Sequence, residues 1–157
     1  MQSVARNLNE TYEATAASVA EARACLAGFA SDAGATSSQI DAVRLAASEA
    51  MTNCVLHAYR GEPGTIHLNA TVDSGDLWIL VADEGRGLAP LADRSGLGLG
   101  LGLISQVSDD LAVVSRPGGG TEVRIRFNLV DGGDAAHRPA EADDDRPGRG
   151  VPYWPDF

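Results

Sequence analysis

The sequence contains no lysine, so all twelve of its basic residues are arginine. A Walker-type phosphate loop requires a lysine, and that kind of nucleotide site is therefore excluded. Asp and Glu outnumber arginine by 22 to 12, which gives a formal net charge of −10. Because nucleic acids and anionic membranes are bound through clustered positive charge, we expect no direct nucleic-acid binding and no membrane association.

Cysteines and long apolar runs are also scarce. Cys25 and Cys54 fall in predicted helices among apolar neighbours, where a free thiol is typically a small buried side chain. The longest apolar candidate, Leu97–Ile104, alternates glycine with leucine and is far shorter than the ~20 residues of a membrane helix. No basic patch precedes an apolar stretch at the N-terminus, so we expect no signal peptide, no disulfide and a cytoplasmic protein.

The composition changes near residue 130. Residues 131–157 hold seven acidic residues, three arginines and four prolines but almost no aliphatic side chains, which predicts a disordered acidic tail. The apolar residues at its end are either a docking motif or a loose terminus (Val151, Tyr153, Trp154 and Phe157). We therefore predict one domain over residues 1–130 and a tail over 131–157.

Hydrophobic periodicity predicts three helices and four strands in the first 130 residues. The second helix should start at Ser38, with Asp41 completing a capping box, and stop at Gly61. The other predicted elements are helices over 13–30 and 99–107 and strands over 65–72, 77–82, 111–115 and 121–129, with a faint extra strand over 4–8. This pattern favours an α+β fold built as a two-layer α/β sandwich.

Three motifs carry candidate chemistry. Glu49, Asn53 and His57 recur every four residues and share one stripe of the second helix, either as a polar edge or as a row facing a ligand. Asp83-Glu84-Gly85-Arg86-Gly87 follows a strand and could be a plain turn, or a place where an Asp carboxylate accepts hydrogen bonds from an amine such as that of adenine.

The third motif is the alternation of glycine and leucine from Gly96 to Leu103. Several N–H groups at the start of a helix would form an anion site there. A dinucleotide fingerprint is disfavoured, because no strand leads directly into the glycines and the spacing differs from GxGxxG. A glycine zipper through Gly98 and Gly102 and simple loop flexibility remain alternatives.

The order of these motifs resembles the GHKL ATPase superfamily, and in particular the anti-sigma serine/threonine kinases. Residues 45–59 are similar to the N box, 83–87 to the G1 box, 96–102 to the G2 box, and Gly120-Thr121 to the last nucleotide-contacting strand. The resemblance covers residues 10–130. It implies the Bergerat fold of histidine-kinase-like ATPases.

The resemblance also implies a role for each matching residue. Glu49 corresponds to the general base, and Asn53 to the ligand of Mg²⁺. Asp83 corresponds to the adenine-binding carboxylate, and Arg94 to a lid arginine near the terminal phosphate of ATP. The other implied nucleotide contacts are Gly85, Gly87, Gly96, Gly98, Gly100 and Thr121, while His57 is expected to be structural.

The expected function is that of an ATP-dependent protein serine/threonine kinase. The implied partners are a sigma factor, a STAS-domain anti-anti-sigma protein that is phosphorylated, and a second copy of the chain. Only eight residues, Leu88–Ser95, separate the G1 and G2 glycines, a shorter lid than in the kinases compared. That favours a second hypothesis, a non-catalytic ATP-binding module that sequesters a partner. The third is a scaffold that needs no nucleotide.

Overall fold

A computed structural model describes residues 6–85 and 97–129 of the chain, and the predicted acidic tail lies outside them. In chain order the strands are β1 (Arg6–Glu13), β2 (Thr65–Asp73), β3 (Asp76–Asp83), β4 (Asp110–Ser115) and β5 (Thr121–Asn128). The helices are α1 (Ala16–Asp32), α2 (Ser37–Asn53) and α3 (Leu97–Val107), and a π-helical turn, Cys54–Ala58, continues α2.

The five strands form one antiparallel sheet in the order β1-β2-β3-β5-β4. Its inner face carries alternate residues of β2, β3 and β5, which join the helices in the core: Ile66, Leu68, Leu77, Ile79, Val81, Val123, Ile125 and Phe127. The predicted α+β two-layer architecture is therefore confirmed. The central strand β3 is buried on both faces, and Trp78 and Leu80 lie on the face away from the helices.

The predicted hairpin between β2 and β3 is confirmed. Asp73 pairs with Asp76, and the two loop residues Ser74 and Gly75 both have positive φ values, of 53° and 83°. Two-residue loops of that backbone type match the right-handed twist of the flanking strands. The hairpin fixes the register that carries β3 to its end at Asp83.

The predicted starts of the first two helices are wrong. Glu13 ends β1, and α1 begins at Ala16 after Thr15, whose hydroxyl accepts a hydrogen bond from the Ser18 N–H. The faint strand over 4–8 is also displaced, because β1 runs from Arg6 to Glu13. β1 is an edge strand with only Leu8 and Tyr12 packed on the core, so its apolar alternation is too sparse to predict its length.

The capping box of α2 lies two residues earlier than predicted. The Thr36 hydroxyl accepts from the Gln39 N–H at 3.2 Å, and the Gln39 side chain accepts from the Thr36 N–H at 2.8 Å. Ser38 is already helical, because Thr36 and not Ser38 has the extended backbone of an N-cap. Polar residues crowd this turn, and the sequence pattern alone fits both starts.

Helix α3 begins two residues earlier than predicted. The predicted glycine loop extended to Gly98, whereas α3 already begins at Leu97. Gly98 and Gly100 are thus helical residues. No helix within residues 6–85 and 97–129 is long and apolar enough to cross a membrane.

We expect Thr36→Ala to lower the free energy of unfolding by about 1 kcal/mol, since two N–H groups at the start of α2 lose or loosen their partners. Ser38→Ala is the matched control and should change it by less than ~0.5 kcal/mol, because Ser38 is exposed within the first turn. Urea denaturation of both variants measures the difference. Equal losses would contradict the Thr36 cap.

Candidate nucleotide site

Asp83 ends β3 with a carboxylate that is almost removed from solvent. Its side chain follows the inward row of Leu77, Ile79 and Val81, and the residue is 5% exposed. The Gly85 N–H donates to Oδ1 at 3.0 Å, and the Thr121 N–H also donates to the carboxylate. Burial raises the pKa of Asp83 above its ordinary value, and these donors oppose that rise. The arrangement leaves the Asp83 carboxylate as a buried hydrogen-bond acceptor at the end of β3.

Thr121 is brought beside Asp83 by the pairing of β3 with β5. Ala82 pairs with Glu122, so the next pair along the ladder places Thr121 across from Asp83. Thr121 is 8% exposed, and its hydroxyl can both donate and accept hydrogen bonds. The structure thus brings together two of the predicted nucleotide contacts that lie 38 positions apart in the sequence.

Glycine is required at two places around Asp83 because backbones approach closely. A Cβ on Gly85 would lie 2.5 Å from the carbonyl oxygen of Ala58, at the end of the π-helical turn. Gly120 has a φ of +94°, and a Cβ there would lie 2.0 Å from the carbonyl oxygen of Asp83. The two glycines let the ends of α2, β3 and β5 converge, a role that fits the prediction for Gly85.

Glu49 and Asn53 both face α3 at Gly100. A Cβ on Gly100 would lie 2.9 Å from Glu49 Oε2 and 3.3 Å from Asn53 Oδ1. Two members of the row on α2, Glu49 and Asn53, therefore lie beside the helix that starts with the glycine motif, and the role of the row in facing a ligand stays a prediction. A Cβ on Gly102 would have nothing within 4 Å among the described residues, so Gly102 makes no zipper contact there.

Asn53 carries an unpaired polar atom at this contact. Its Nδ2 is buried and has no hydrogen-bond partner among the described residues. A buried amide without a partner is costly, and such groups in proteins commonly mark a binding site. His57 is half-buried in the π-helical turn beyond it.

Three residues near Asp83 were missed by the sequence reasoning. Cys54 Sγ lies 3.8 Å from Asp83 Oδ2. The Tyr59 hydroxyl donates to the Thr65 carbonyl and accepts from the Glu84 N–H at 2.8 Å, which ties the end of the π-helical turn to β2 and β3. Arg116 donates to the Asp83 carbonyl at 3.2 Å. Of these three residues, only Cys54 and Tyr59 could have been found from the sequence, because both lie within the N-box-like segment 45–59.

Several predicted residues lie outside the described part of the chain. These are Gly87, Arg94 and Gly96, and their predicted contacts with a nucleotide stay predictions. Gly98 lies in the first turn of α3. Within residues 6–85 and 97–129 there is no group of three or more His, Cys, Asp or Glu side chains placed to hold a metal ion.

The sequence profile of the histidine kinase-like ATPase domain matches residues 12–127. The chain belongs to this family. The match runs from β1 through the end of β5 and includes every element that contributes to the site. The resemblance found in the three motifs is confirmed, and an ATPase domain implies nucleotide binding.

Proteins named anti-sigma F factor are among the relatives. The one from Thermoanaerobacter sp. (strain X514) is 32% identical, over 66% of this chain and 80% of that protein. The one from Clostridium acetobutylicum is also 32% identical, over 70% and 86%. The one from Halalkalibacterium halodurans is 27% identical, over 78% and 92%. The similarity thus extends over most of each relative.

The fold is similar to a crystal structure of the RsbU and RsbW domains of Rv1364c from Mycobacterium tuberculosis. The TM-score is 0.63 at 24% sequence identity, and the match covers 79% of this chain and 32% of that one. At this identity the likeness establishes the fold. The predicted histidine-kinase-like ATPase fold is thereby confirmed.

The described residues of this ATPase domain fit a nucleotide with magnesium in two respects. Asp83 offers a buried carboxylate to an amine, and the unpaired amide of Asn53 offers a polar group on the helix that faces α3. Oxygen and nitrogen of an Asn amide are interchangeable by rotation, so either can face a ligand. Mg²⁺ is usually held by one or two protein oxygens together with the phosphates of its substrate, which suits a site with Asn53 as its protein ligand.

We expect Gly120→Ala to lower the free energy of unfolding by roughly 3 kcal/mol or more, because it adds a collision with the Asp83 carbonyl to the strain of a positive φ. Gly118→Ala is the matched control. Its φ is +85° and nothing lies within 4 Å of its Cβ, so only the strain of about 1–2 kcal/mol applies. Urea denaturation measures both. Equal costs would show that the turn moves freely away from Asp83.

Proposed function

We propose that this protein is an ATP-dependent serine/threonine kinase and anti-sigma factor. It would phosphorylate a STAS-domain anti-anti-sigma protein and bind a sigma factor in the cytoplasm. The observation that carries the proposal is that α2 places Glu49 and Asn53 beside Gly100 of α3, while the next residue, Cys54, lies against Asp83. The relatives named anti-sigma F factor support the choice of pathway.

Asp83 and Thr121 would bind the adenine end of ATP. A carboxylate accepts a hydrogen bond from an exocyclic amine, and the Thr121 hydroxyl adds a donor or acceptor beside it. Gly85 leaves room for the close backbone approach that such a pocket needs. The carboxylate must be ionised to accept hydrogen bonds both from the protein and from adenine. Because burial raises the pKa of Asp83, nucleotide binding should be lost on acidification at a higher pH than for an ordinary Asp.

The phosphate end would lie toward Gly100 and the start of α3. Backbone N–H groups at the first turn of a helix donate hydrogen bonds to anions. A chain without lysine must bind phosphates through such N–H groups and through arginine. Asn53 would hold Mg²⁺, which when bound offsets the charge of the phosphates. Arg94, Gly96 and Gly98 are proposed to complete this end, and Gly87 the adenine end.

Glu49 would orient the hydroxyl of the target serine and accept its proton at Oε2. Its carboxylate lies next to Gly100 and one helical turn before Asn53, so the proton acceptor and the metal-binding amide are adjacent. Phosphoryl transfer depends mainly on positioning and charge stabilisation, and these groups provide both.

Glu49→Gln should retain ATP binding but lose about 10²- to 10⁴-fold in the rate of transfer to the STAS partner, because the amide cannot accept the proton. Glu62→Gln, an exposed residue beyond the π-helical turn, is the control and should leave the rate unchanged. Transfer of labelled phosphate measures the rate. Equal rates for wild type and Glu49→Gln would remove Glu49 from the mechanism.

Asp83→Asn should abolish saturable binding of a fluorescent ATP analogue in the presence of Mg²⁺, since the amide presents a donor where adenine needs an acceptor. Asp73→Asn, at the exposed end of β2, should bind like wild type. Binding that is equal in wild type and Asp83→Asn would overturn the adenine site. If the wild-type protein binds no nucleotide, the result would favour the third hypothesis, a scaffold that needs no nucleotide.

A second candidate function is a non-catalytic module that sequesters its partner and uses ATP only for ordering. The short segment Leu88–Ser95 favours it, because eight residues offer little chain to cover a triphosphate. Incubation with labelled ATP, a sigma factor and STAS candidates separates the two functions. Stable complexes without label transfer support the module, whereas label on a STAS serine supports the kinase. Size-exclusion chromatography with light scattering tests the proposed homodimer.

A further inference from the structure

Cys54 lies directly against the adenine-binding carboxylate. It is the first residue of the π-helical turn and follows Asn53 in the sequence. Its Sγ is 3.8 Å from Asp83 Oδ2, and the two residues are 2% and 5% exposed. The thiol is thus inside the protein, on the side of Asp83 that faces α2. Nothing in the mechanism above uses it.

The thiol is the donor in this contact. A thiol with its ordinary pKa is a neutral S–H group at pH 7 and can donate. An ionised carboxylate only accepts hydrogen bonds. The S–H of Cys54 therefore points its proton at Oδ2, while the Gly85 N–H holds Oδ1 at 3.0 Å.

We infer that Cys54 is a positioning residue of the nucleotide pocket, whose S–H fixes the orientation of the Asp83 carboxylate and helps to keep it ionised for adenine. The inference rests on the proposed nucleotide site. Cys54 differs from the backbone donors Gly85 and Thr121 because it donates from a side chain, at the start of the π-helical turn that continues α2. Through Asn53 and Cys54, consecutive residues reach the phosphate end and the adenine end of the site.

The Cys54 thiol can change the charge state of Asp83 because only a few other groups of the described residues stabilise the ionised carboxylate. Burial raises its pKa, while the N–H groups of Gly85 and Thr121, the thiol of Cys54 and the positive charge of Arg116 lower it. Cys54 and Arg116 are the titratable or charged side chains among these groups. Loss of the thiol therefore leaves Oδ2 with one donor fewer, and the pKa of Asp83 should rise.

The test compares Cys54→Ala with Cys54→Ser, which differ by one hydroxyl. The dissociation constant of a fluorescent ATP analogue with Mg²⁺ is measured from pH 5.5 to 8. Cys54→Ala should bind about two- to tenfold more weakly at pH 7, and its acid loss of binding should move to higher pH, because a carboxyl with a raised pKa is protonated earlier. Cys54→Ser keeps a hydrogen-bond donor and should lose binding at the same acidic pH as wild type.

Two further variants separate this role from simple packing. Cys25→Ala removes the other free cysteine, on α1, and should bind like wild type over the whole pH range. Cys54→Val fills the space without a donor, and it takes the place of Cys54→Ala if that variant does not fold. Titration of the Asp83 carboxyl carbon by NMR, without nucleotide, should give a higher pKa in both donor-free variants than in wild type and Cys54→Ser.

The outcomes distinguish this inference from the proposed function. If wild type binds nucleotide, Asp83→Asn does not, and the donor-free variants match wild type at every pH, the role of Cys54 is overturned while the site stands. The role is equally overturned if Cys54→Ser behaves like Cys54→Ala. If wild type fails to bind, or Asp83→Asn binds normally, the nucleotide site itself is overturned.

Discussion

The site depends on a carboxylate buried at the end of a central strand. Asp83 could be accommodated there only because N–H groups from Gly85 and Thr121 replace the water it loses. Those donors come from the two chain segments that pass closest to it, and both passages need glycine, at positions 85 and 120. The start of β5 and the turn after β3 therefore meet at one buried charge and satisfy it.

Helix α2 links this charge to the rest of the pocket. Its last α-helical residue, Asn53, faces Gly100 of α3, and the next residue, Cys54, faces Asp83. Successive residues of a helix point in different directions, so in the proposed site one short segment would reach two ends of the ligand. The π-helical turn that follows is held by Tyr59, whose hydroxyl bridges the Thr65 carbonyl and the Glu84 N–H. Such turns recur at functional sites.

Much of this arrangement could be predicted from local patterns. The alternation in β2 and β5 and the Ser74-Gly75 loop are local signals, and they placed the sheet correctly. The starts of α1 and α2 failed, because neighbouring Ser and Thr residues fit the cap equally well until the backbone is known. The contacts of Cys54 and Arg116 with Asp83 and of Tyr59 with Glu84 join positions 25 to 33 residues apart, and no periodicity reports such distances.

The features that make the site also weaken the domain. A buried carboxylate with a raised pKa, an unpaired amide on Asn53 and a glycine in the first turns of α3 each cost stability relative to an apolar, well-paired alternative. A ligand that pairs with Asp83 and Asn53 would return part of this stability, because it binds the folded state alone. A nucleotide bound at the proposed site would thus offset part of the stability that these residues cost.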